Sequence, residues 1–333
     1  MAGAESQHHM HAAIPVSVIL LTYHQEAYVR ESLVSLLQQD YPNLQIVISD
    51  DASQDNTWAV IEQTVQEVSS HARIVLQRNP SNLGIVGNYN QAASLCDGEL
   101  VFSAAGDDIS ESNRISSCVD LWLATGQKFD LMATDLFDMA IDGQTLGVKA
   151  IDDLQSWTWQ RWIHQRPYHA GASHMATRRM LAVQQLSPKA VMEDQCLLFR
   201  ALLMGGAERL PKPLVHHRRG GVSNDGRRID SYREKRAKLL ASAKQAIDVI
   251  DQYLSDARKL NASEGMLSYL TQIKRTALFT QTCLEEERFF SRVLLLLEFK
   301  DVSISKLMRF FIFSSMRSFY GFMFKIKSHT KRN

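Results

Sequence analysis

Three times in the first 110 residues, a short apolar run rich in β-branched side chains ends in a polar cluster. "IPVSVILLTY" (14–23) runs into Thr22, Tyr23 and His24, "LQIVISDD" (44–51) into Asp50 and Asp51, and "GELVFSAAGDD" (98–108) into Asp107 and Asp108. Runs of this length suit strands buried on both faces, as in a parallel sheet. After the first run, Val29, Leu33, Leu36 and Leu37 recur at helical spacing until Tyr41-Pro42. A helix from about Thr57, a strand over 72–78 and a helix over about 87–96 continue the alternation. The pattern predicts an α/β fold, a mainly parallel Rossmann-like sheet flanked by helices. Ligands of such sheets sit beyond the carboxyl ends of the strands, so the three polar clusters are expected to line one crevice.

Two adjacent aspartates at the end of an apolar strand need partners, because like charges repel and a buried carboxylate is costly. Two readings of Asp107 and Asp108 stand on the residues alone: a solvated turn that caps the next helix, or a cation site. The turn over Asp50, Asp51, Ser53 and Asp55 is equally open to capping or ligand binding.

Composition bounds the rest. The chain has 333 residues, 45% hydrophobic and 22% charged, which suits one large globular domain with an appendage. A net charge of +1 offers no global footprint for nucleic acid, and none is expected as partner. Cys96, Cys118, Cys196 and Cys283 lie far apart and form neither a disulfide frame nor a zinc motif. Residues 1–13 read as a flexible polar leader without the pattern of a secretory signal, and no run of apolar residues is long enough to span a bilayer. A cytoplasmic protein is expected.

Four segments, "PVSVILLTYHQEAYVRESLVSLLQQDYPNLQIVISDDASQDNT", "RNPSNLGIVGNYNQA", "DGELVFSAAGDDI" and "VMEDQCLLFRALLMGG", resemble in order and spacing the bacterial family 2 glycosyltransferases of the GT-A fold. These include enzymes of cell-surface polysaccharide, O-antigen and lipopolysaccharide-core assembly. The resemblance covers roughly residues 14–225. It implies a UDP- or dTDP-sugar donor (a hexose or rhamnose, for example), Mg²⁺ or Mn²⁺, a glycan or lipid-linked glycan acceptor, and inversion at the anomeric carbon. The domains that follow are a leader (1–13), a catalytic domain (14–228) and a helical extension (229–333).

By position, the resemblance places Thr22, Tyr23, Glu26, Asp50, Asp51 and Ser53 at the nucleotide, with Asn82, Gly84 and Asn88 in a loop beneath the donor. A carboxylate at a strand end is a ready acceptor for the N3–H of uracil or thymine. Asp107 answers to the last aspartate of the family's Asp-x-Asp motif and is assigned to donor and metal. The first position of that motif is Ala105 here, so the metal set is Asp107, Asp108 and His217, with the donor's phosphates and water. Arg218, in "VHHRRGGVSND", is assigned to the diphosphate. Asp194 matches the catalytic base, with Glu193 beside it, since a sugar hydroxyl needs a base to become a nucleophile. Acids at a helix N-terminus also suit the helix dipole. Gly171-Ala172-Ser173 looks like the strand before the base. Trp157, Trp159 and Trp162 are candidate platforms for acceptor sugars, although tryptophan at helical spacing also fits a core.

Three rival readings lack support in the residues. A sugar-phosphate nucleotidyltransferase needs a Gly-rich, basic phosphate loop near the N-terminus, and a dinucleotide oxidoreductase needs Gly-x-Gly-x-x-Gly; "SVILLTYHQEAY" has neither. A non-catalytic nucleotide-sugar or glycan-binding module would not need Asp194 and Asp107 together. The tail carries Lys306, Arg309, Arg317, Lys325, Lys327, Lys331 and Arg332 among Phe310, Phe311, Phe313, Phe319, Phe322 and Phe324. It reads as a helix on an anionic membrane surface, at the inner face of the cell membrane, or as one docked on the catalytic domain or on a second subunit of a homo-oligomer.

Overall fold

Strand β1 (Val16–Thr22) lies between β2 (Leu44–Asp50) and β4 (Leu100–Ala105), parallel to both, and β3 (Arg73–Arg78) extends the sheet beyond β2. The runs that are apolar in sequence are thus the central strands. Val16, Val18 and Leu20 of β1, with Ile46 and Ile48 of β2, pack against Val29, Leu33, Leu36 and Leu37 of helix α1 (Val29–Leu37). A fully buried side chain of this size contributes about 1.5–3 kcal/mol. Helices α2 (Thr57–Glu67), α3 (Gly84–Ser94) and α4 (Arg114–Ala124) complete the alternation. Helix α3 starts three residues earlier than the sequence predicts. Gly84 has φ of +73°, a conformation glycine adopts readily, and its N–H donates to Asn82 Oδ1 at 2.9 Å.

The computed structural model describes residues 14–162, 164–220 and 231–315. Among the described residues nine strands form one sheet, in the order β3-β2-β1-β4-β8-β6-β9-β5 with β7 on β6. Strand β8 (His174–Thr177) is antiparallel to β4 and to β6 (Leu131–Met139). Strand β9 (Ala207–Arg218) is parallel to β6, and β5 (Ile109–Ser110) is antiparallel to β9. Strand β7 is Thr145–Lys149. The sheet is therefore mixed, with its parallel half first. Residues 171–173 form a 3₁₀ turn rather than the expected strand, which begins at His174. Short helices α5 (Trp159–Trp162) and α6 (Arg178–Leu181) precede α7 (Glu193–Leu202). All four cysteines are buried thiols.

The chain divides into two compact units. The second holds α8 (Tyr232–Lys259), α9 (Glu264–Glu285), α10 (Phe289–Glu298) and α11 (Ile304–Ser315). Ser231 opens α8 by accepting the Glu234 N–H, and Ser263 opens α9 through the Met266 N–H. Phe279, Cys283, Phe299, Val302 and Leu307 form this unit's own small core. No described helix is long and apolar enough to cross a membrane. The expected leader, the domain boundary at 228/229 and the tail beyond residue 315 fall outside the described residues.

Candidate active site

The ends of β1, β2 and β4 meet at one edge of the sheet. The Asp51 N–H donates to the Thr22 carbonyl at 2.9 Å, and the Gly106 N–H donates to the Leu21 carbonyl at 3.0 Å. A methyl group at Gly106 would overlap Gln25 Oε1 and stand 2.9 Å from Thr22 Cγ2, so only glycine lets the β4 end approach β1 this closely.

The two aspartates after β2 have separate jobs. Asp50 is sealed from solvent: its carboxylate accepts from Thr22 Oγ1 (3.1 Å), the Ser53 hydroxyl (2.5 Å) and the Ser53 N–H (3.0 Å), with Arg78 Nε 3.6 Å away. Asp51 Oδ1 accepts from Asn79 Nδ2 (2.9 Å) and the Leu83 N–H (2.8 Å), and its Oδ2 has no hydrogen bond within the described residues. Of the pair, Asp51 retains an acceptor for a ligand, while Asp50, Thr22 and Ser53 hold the turn in shape. Asn88 is likewise committed: it is buried, accepts from Ser49 Oγ (2.6 Å) and Asn79, and donates to the Ser49 carbonyl. Asp50, Thr22, Ser53 and Asn88, expected from the sequence at the donor, are thus hydrogen-bonded within the protein at the ends of β1 and β2. Tyr23 is half-buried and stacks on His24 with ring centroids 4.1 Å apart, and Glu26 accepts the Asn56 N–H at 2.8 Å. Asn82 is exposed beside Gly84. Arg78, which no motif marks, reaches the same turn and donates to the Ser53 carbonyl at 2.8 Å.

At the end of β4 the paired aspartates also divide. Asp108 is buried and its Oδ1 accepts the Arg218 N–H at 2.9 Å; burial, then the charge of Asp107, pushes its pKa up to about 7. Its bond points it at the protein, not at a cation. Asp107 is half-buried; burial raises its pKa, and nearby His217 and Arg218 counter that rise. His217 is held below its ordinary pKa by burial, with Asp107 pulling it back up. Arg218 is not free for a diphosphate. It is buried, donates to the carbonyls of Asp107 (3.0 Å) and Ile141 (2.8 Å), pairs with Glu31, and lies 4.6 Å over the Tyr28 ring. It holds the turn instead.

Among the described residues no group of three or more His, Cys, Asp or Glu stands ready to hold a metal. Asp107 and His217 remain as one carboxylate and one imidazole within each other's field. That donor set fits a hard divalent cation that takes its other ligands from phosphate and water.

The acid pair comes to the same edge by topology. Strand β8 runs antiparallel to β4 with Met175 opposite Phe102, and His174 Nε2 lies 2.9 Å from Ser103 Oγ. Residues just before His174 therefore stand at the carboxyl end of β4. A methyl group at Gly171 would lie 3.0 Å from Glu193 Oε1 and 3.3 Å from Asp194 Cβ, so the pair packs directly on that glycine. Asp194 Oδ1 accepts the Gln195 N–H at 2.7 Å. Burial, then Asp194, drives the Glu193 pKa well above the usual carboxylate range. Nearby His169 and His174 are buried, and desolvation holds both imidazoles below their ordinary pKa. Sequence motifs gave no sign of either histidine.

Trp157 and Trp162 are buried, under Arg161 (4.1 Å) and against Phe199 (ring centroids 4.7 Å) respectively. Neither offers a ring face to an acceptor; only Trp159 is half-exposed. Core packing explains their spacing.

An α/β fold thus carries polar strand ends at the carboxyl edge of its parallel half-sheet, an acid pair on a helix start and a carboxylate–imidazole pair. Residues 17–178 match the model of glycosyl transferase family 2, and the chain is similar to bacterial glycosyltransferases. The match ends before the acid pair and His217.

An uncharacterised glycosyltransferase of Nostoc is 24% identical over 248 residues, 72% of this chain and 74% of that protein. The UDP-Glc:alpha-D-GlcNAc-diphosphoundecaprenol beta-1,3-glucosyltransferase WfgD of Escherichia coli is 30% identical over 115 residues, 34% of this chain and 43% of its own. Staphylococcus aureus TarS, solved with UDP-GlcNAc, superposes with a TM-score of 0.53 at 17% identity, covering 91% of each chain. The mannosyltransferase PcManGT of Pyrobaculum calidifontis, solved with GDP-Man and Mn²⁺, gives 0.51 at 15% identity and 96% of each chain. These two likenesses establish a common fold.

Proposed function

We propose that this glycosyltransferase moves a sugar from a UDP- or dTDP-linked donor to a glycan or lipid-linked glycan acceptor in bacterial surface polysaccharide synthesis, with inversion. The observation that carries the reading is the meeting of the free Asp51 Oδ2, the Asp107–His217 pair and the Glu193–Asp194 pair at one edge of the sheet. The E. coli relative, named for a UDP-Glc donor and a diphosphoundecaprenol acceptor, supports the donor and acceptor classes.

In this reading Asp51 accepts the N3–H of the pyrimidine and Tyr23 packs against the nucleotide. Asp107 and His217 would hold Mg²⁺ or Mn²⁺, which when bound supplies positive charge against the leaving diphosphate. Asp194 takes the proton of the acceptor hydroxyl as it attacks the anomeric carbon. Glu193, its carboxyl pushed up to about 8 by burial and then by Asp194, stands beside the base.

The test is donor calorimetry across a Mn²⁺ titration, paired with initial transfer rates. Asp194→Asn is expected to bind donor as wild type does and to lose roughly 10²–10⁴-fold in transfer. Asp107→Asn is expected to need more Mn²⁺ for the same donor affinity. Absence of any nucleotide-sugar binding by the wild type would sink the proposal, and near-normal turnover by Asp194→Asn would move the base elsewhere.

A further inference from the structure

Helices α10 and α11 each have two apolar faces, and only one of them is used. Leu295, Leu296 and Phe299 turn inward to the small core of the second unit, as do Val302, Leu307 and Phe313. The opposite face of α10 carries Phe290, Leu294 and Leu297 at spacings of four and three; that of α11 carries Ile304, Met308 and Ile312 at spacings of four. Phe290 is 81% exposed, Leu297 71% and Ile304 76%. Single exposed apolar side chains are ordinary, but two helical stripes in succession mark a surface that something covers.

We infer that these outward faces of α10 and α11 are a docking surface for an anionic lipid bilayer. The helices have 10 and 12 residues, about 15–18 Å of length, which falls well short of a hydrocarbon core of about 30 Å. Such helices lie in the plane of the interface with their apolar stripes down.

Charge chooses between a membrane and a second copy of the chain. Lys306 and Arg309 are exposed on α11, and Arg309 flanks the apolar stripe over the Phe310 ring. From residue 302 to 333 the sequence holds seven Lys and Arg and no Asp or Glu. The nearest acid before it, Asp301, is paired with Arg275. Exposed Glu298 and Lys300 offset each other at the end of α10, so the uncompensated charge on the described face is that of Lys306 and Arg309; two copies meeting there would oppose it with like charge, whereas phosphatidylglycerol supplies the opposite sign. The surface is independent of the transfer reaction, so its assay reads binding alone; with a lipid-linked acceptor it would bring the enzyme to its substrate.

The experiment sediments the full chain with vesicles of phosphatidylcholine alone or with about one-third phosphatidylglycerol. Expected is binding to the anionic vesicles at least about tenfold tighter than to neutral ones, weakening as salt rises. Leu294→Glu/Leu297→Glu/Ile304→Glu is expected to reduce that binding at least about tenfold, with an unchanged circular-dichroism melt, since these side chains face solvent. Should that variant fail to fold, Lys306→Glu/Arg309→Glu keeps the test decisive, because it is expected to abolish the preference for anionic vesicles. Equal binding to both vesicle types, or none, overturns the proposal. So does a dimer in analytical ultracentrifugation that the triple variant breaks while vesicles remain unbound; that result would assign the face to a second copy.

Discussion

Gly171→Ala is the sharpest perturbation of the acid pair because it adds one methyl and touches neither carboxylate chemically. Gly171 does not have positive φ, so alanine brings no backbone strain there and its effect is steric. The new Cβ would meet Glu193 Oε1 at 3.0 Å and Asp194 Cβ at 3.3 Å, both several tenths of an ångström inside ordinary contact. Glu193 is half-buried and Asp194 sits on the helix start, so relief requires a shift of the α7 N-terminus or of the 3₁₀ turn. Overpacking of this kind costs about 1–3 kcal/mol of stability. A misplacement approaching 1 Å at a reacting group costs up to about 10²-fold in rate, so a shift of about half that is expected to lower kcat by roughly tenfold or more. Donor affinity should be unchanged, because Asp51, Asp107 and His217 lie on other segments. The assay pairs initial transfer rates at saturating donor with donor calorimetry and a thermal melt. In the double variant with Asp194→Asn the losses should not add, since both act on one step. A wild-type kcat for Gly171→Ala, in a protein whose melt shows the methyl is felt, would refute the placement of the chemistry on this pair.

Two further outcomes follow from the same geometry. Glu193 binds its proton more tightly folded than unfolded, so the folded state holds more protons above the ordinary carboxyl pKa and stability falls as pH rises through that window; Glu193→Gln is expected to flatten this slope, and a slope identical to wild type in pH-dependent melts would contradict the burial argument. Arg218→Ala is expected to cost about 1–3 kcal/mol, because it leaves the carbonyls of Asp107 and Ile141 without their donor while the exposed Glu31 returns to water. Arg218→Lys should not restore it, since an ammonium cannot match those separate directions at once; full rescue in a denaturant titration would show that charge alone suffices.

The alternation of strands and helices was legible because period and length are local properties, and the meeting of the β1, β2 and β4 ends at one edge follows from it. Division of labour within each acidic pair was not. Asp50 and Asp51 are neighbours of identical chemistry, and only the turn at Ser53 and the approach of Asn79 decide which carboxylate is spent on structure. The structural partners of Arg218 were not legible, because Tyr28, Glu31 and Ile141 come from distant segments that no spacing rule connects. The tryptophans misled for the opposite reason: a stripe of aromatics looks the same from the sequence whether it faces a sugar or Phe199. His169 and His174 escaped notice because isolated histidines carry no pattern.

Arg218 also bears on how the domain comes into being. Its bond to the Asp107 carbonyl closes a sequence separation of 111 residues, and its pairing with Glu31 closes one of 187. Contacts so remote along the chain carry a large loop-closure cost and form late. On a ribosome, β1 to β4 emerge and can pair long before Arg218 is made, so the Asp107–Asp108 turn waits without its clamp until β9 has been synthesised. A fragment ending at residue 178, where the family match stops, would keep the nucleotide half of the crevice but lack the clamp, the acid pair and His217. The residues to which the proposed reaction is assigned are therefore completed only in the last fifth of this unit's synthesis.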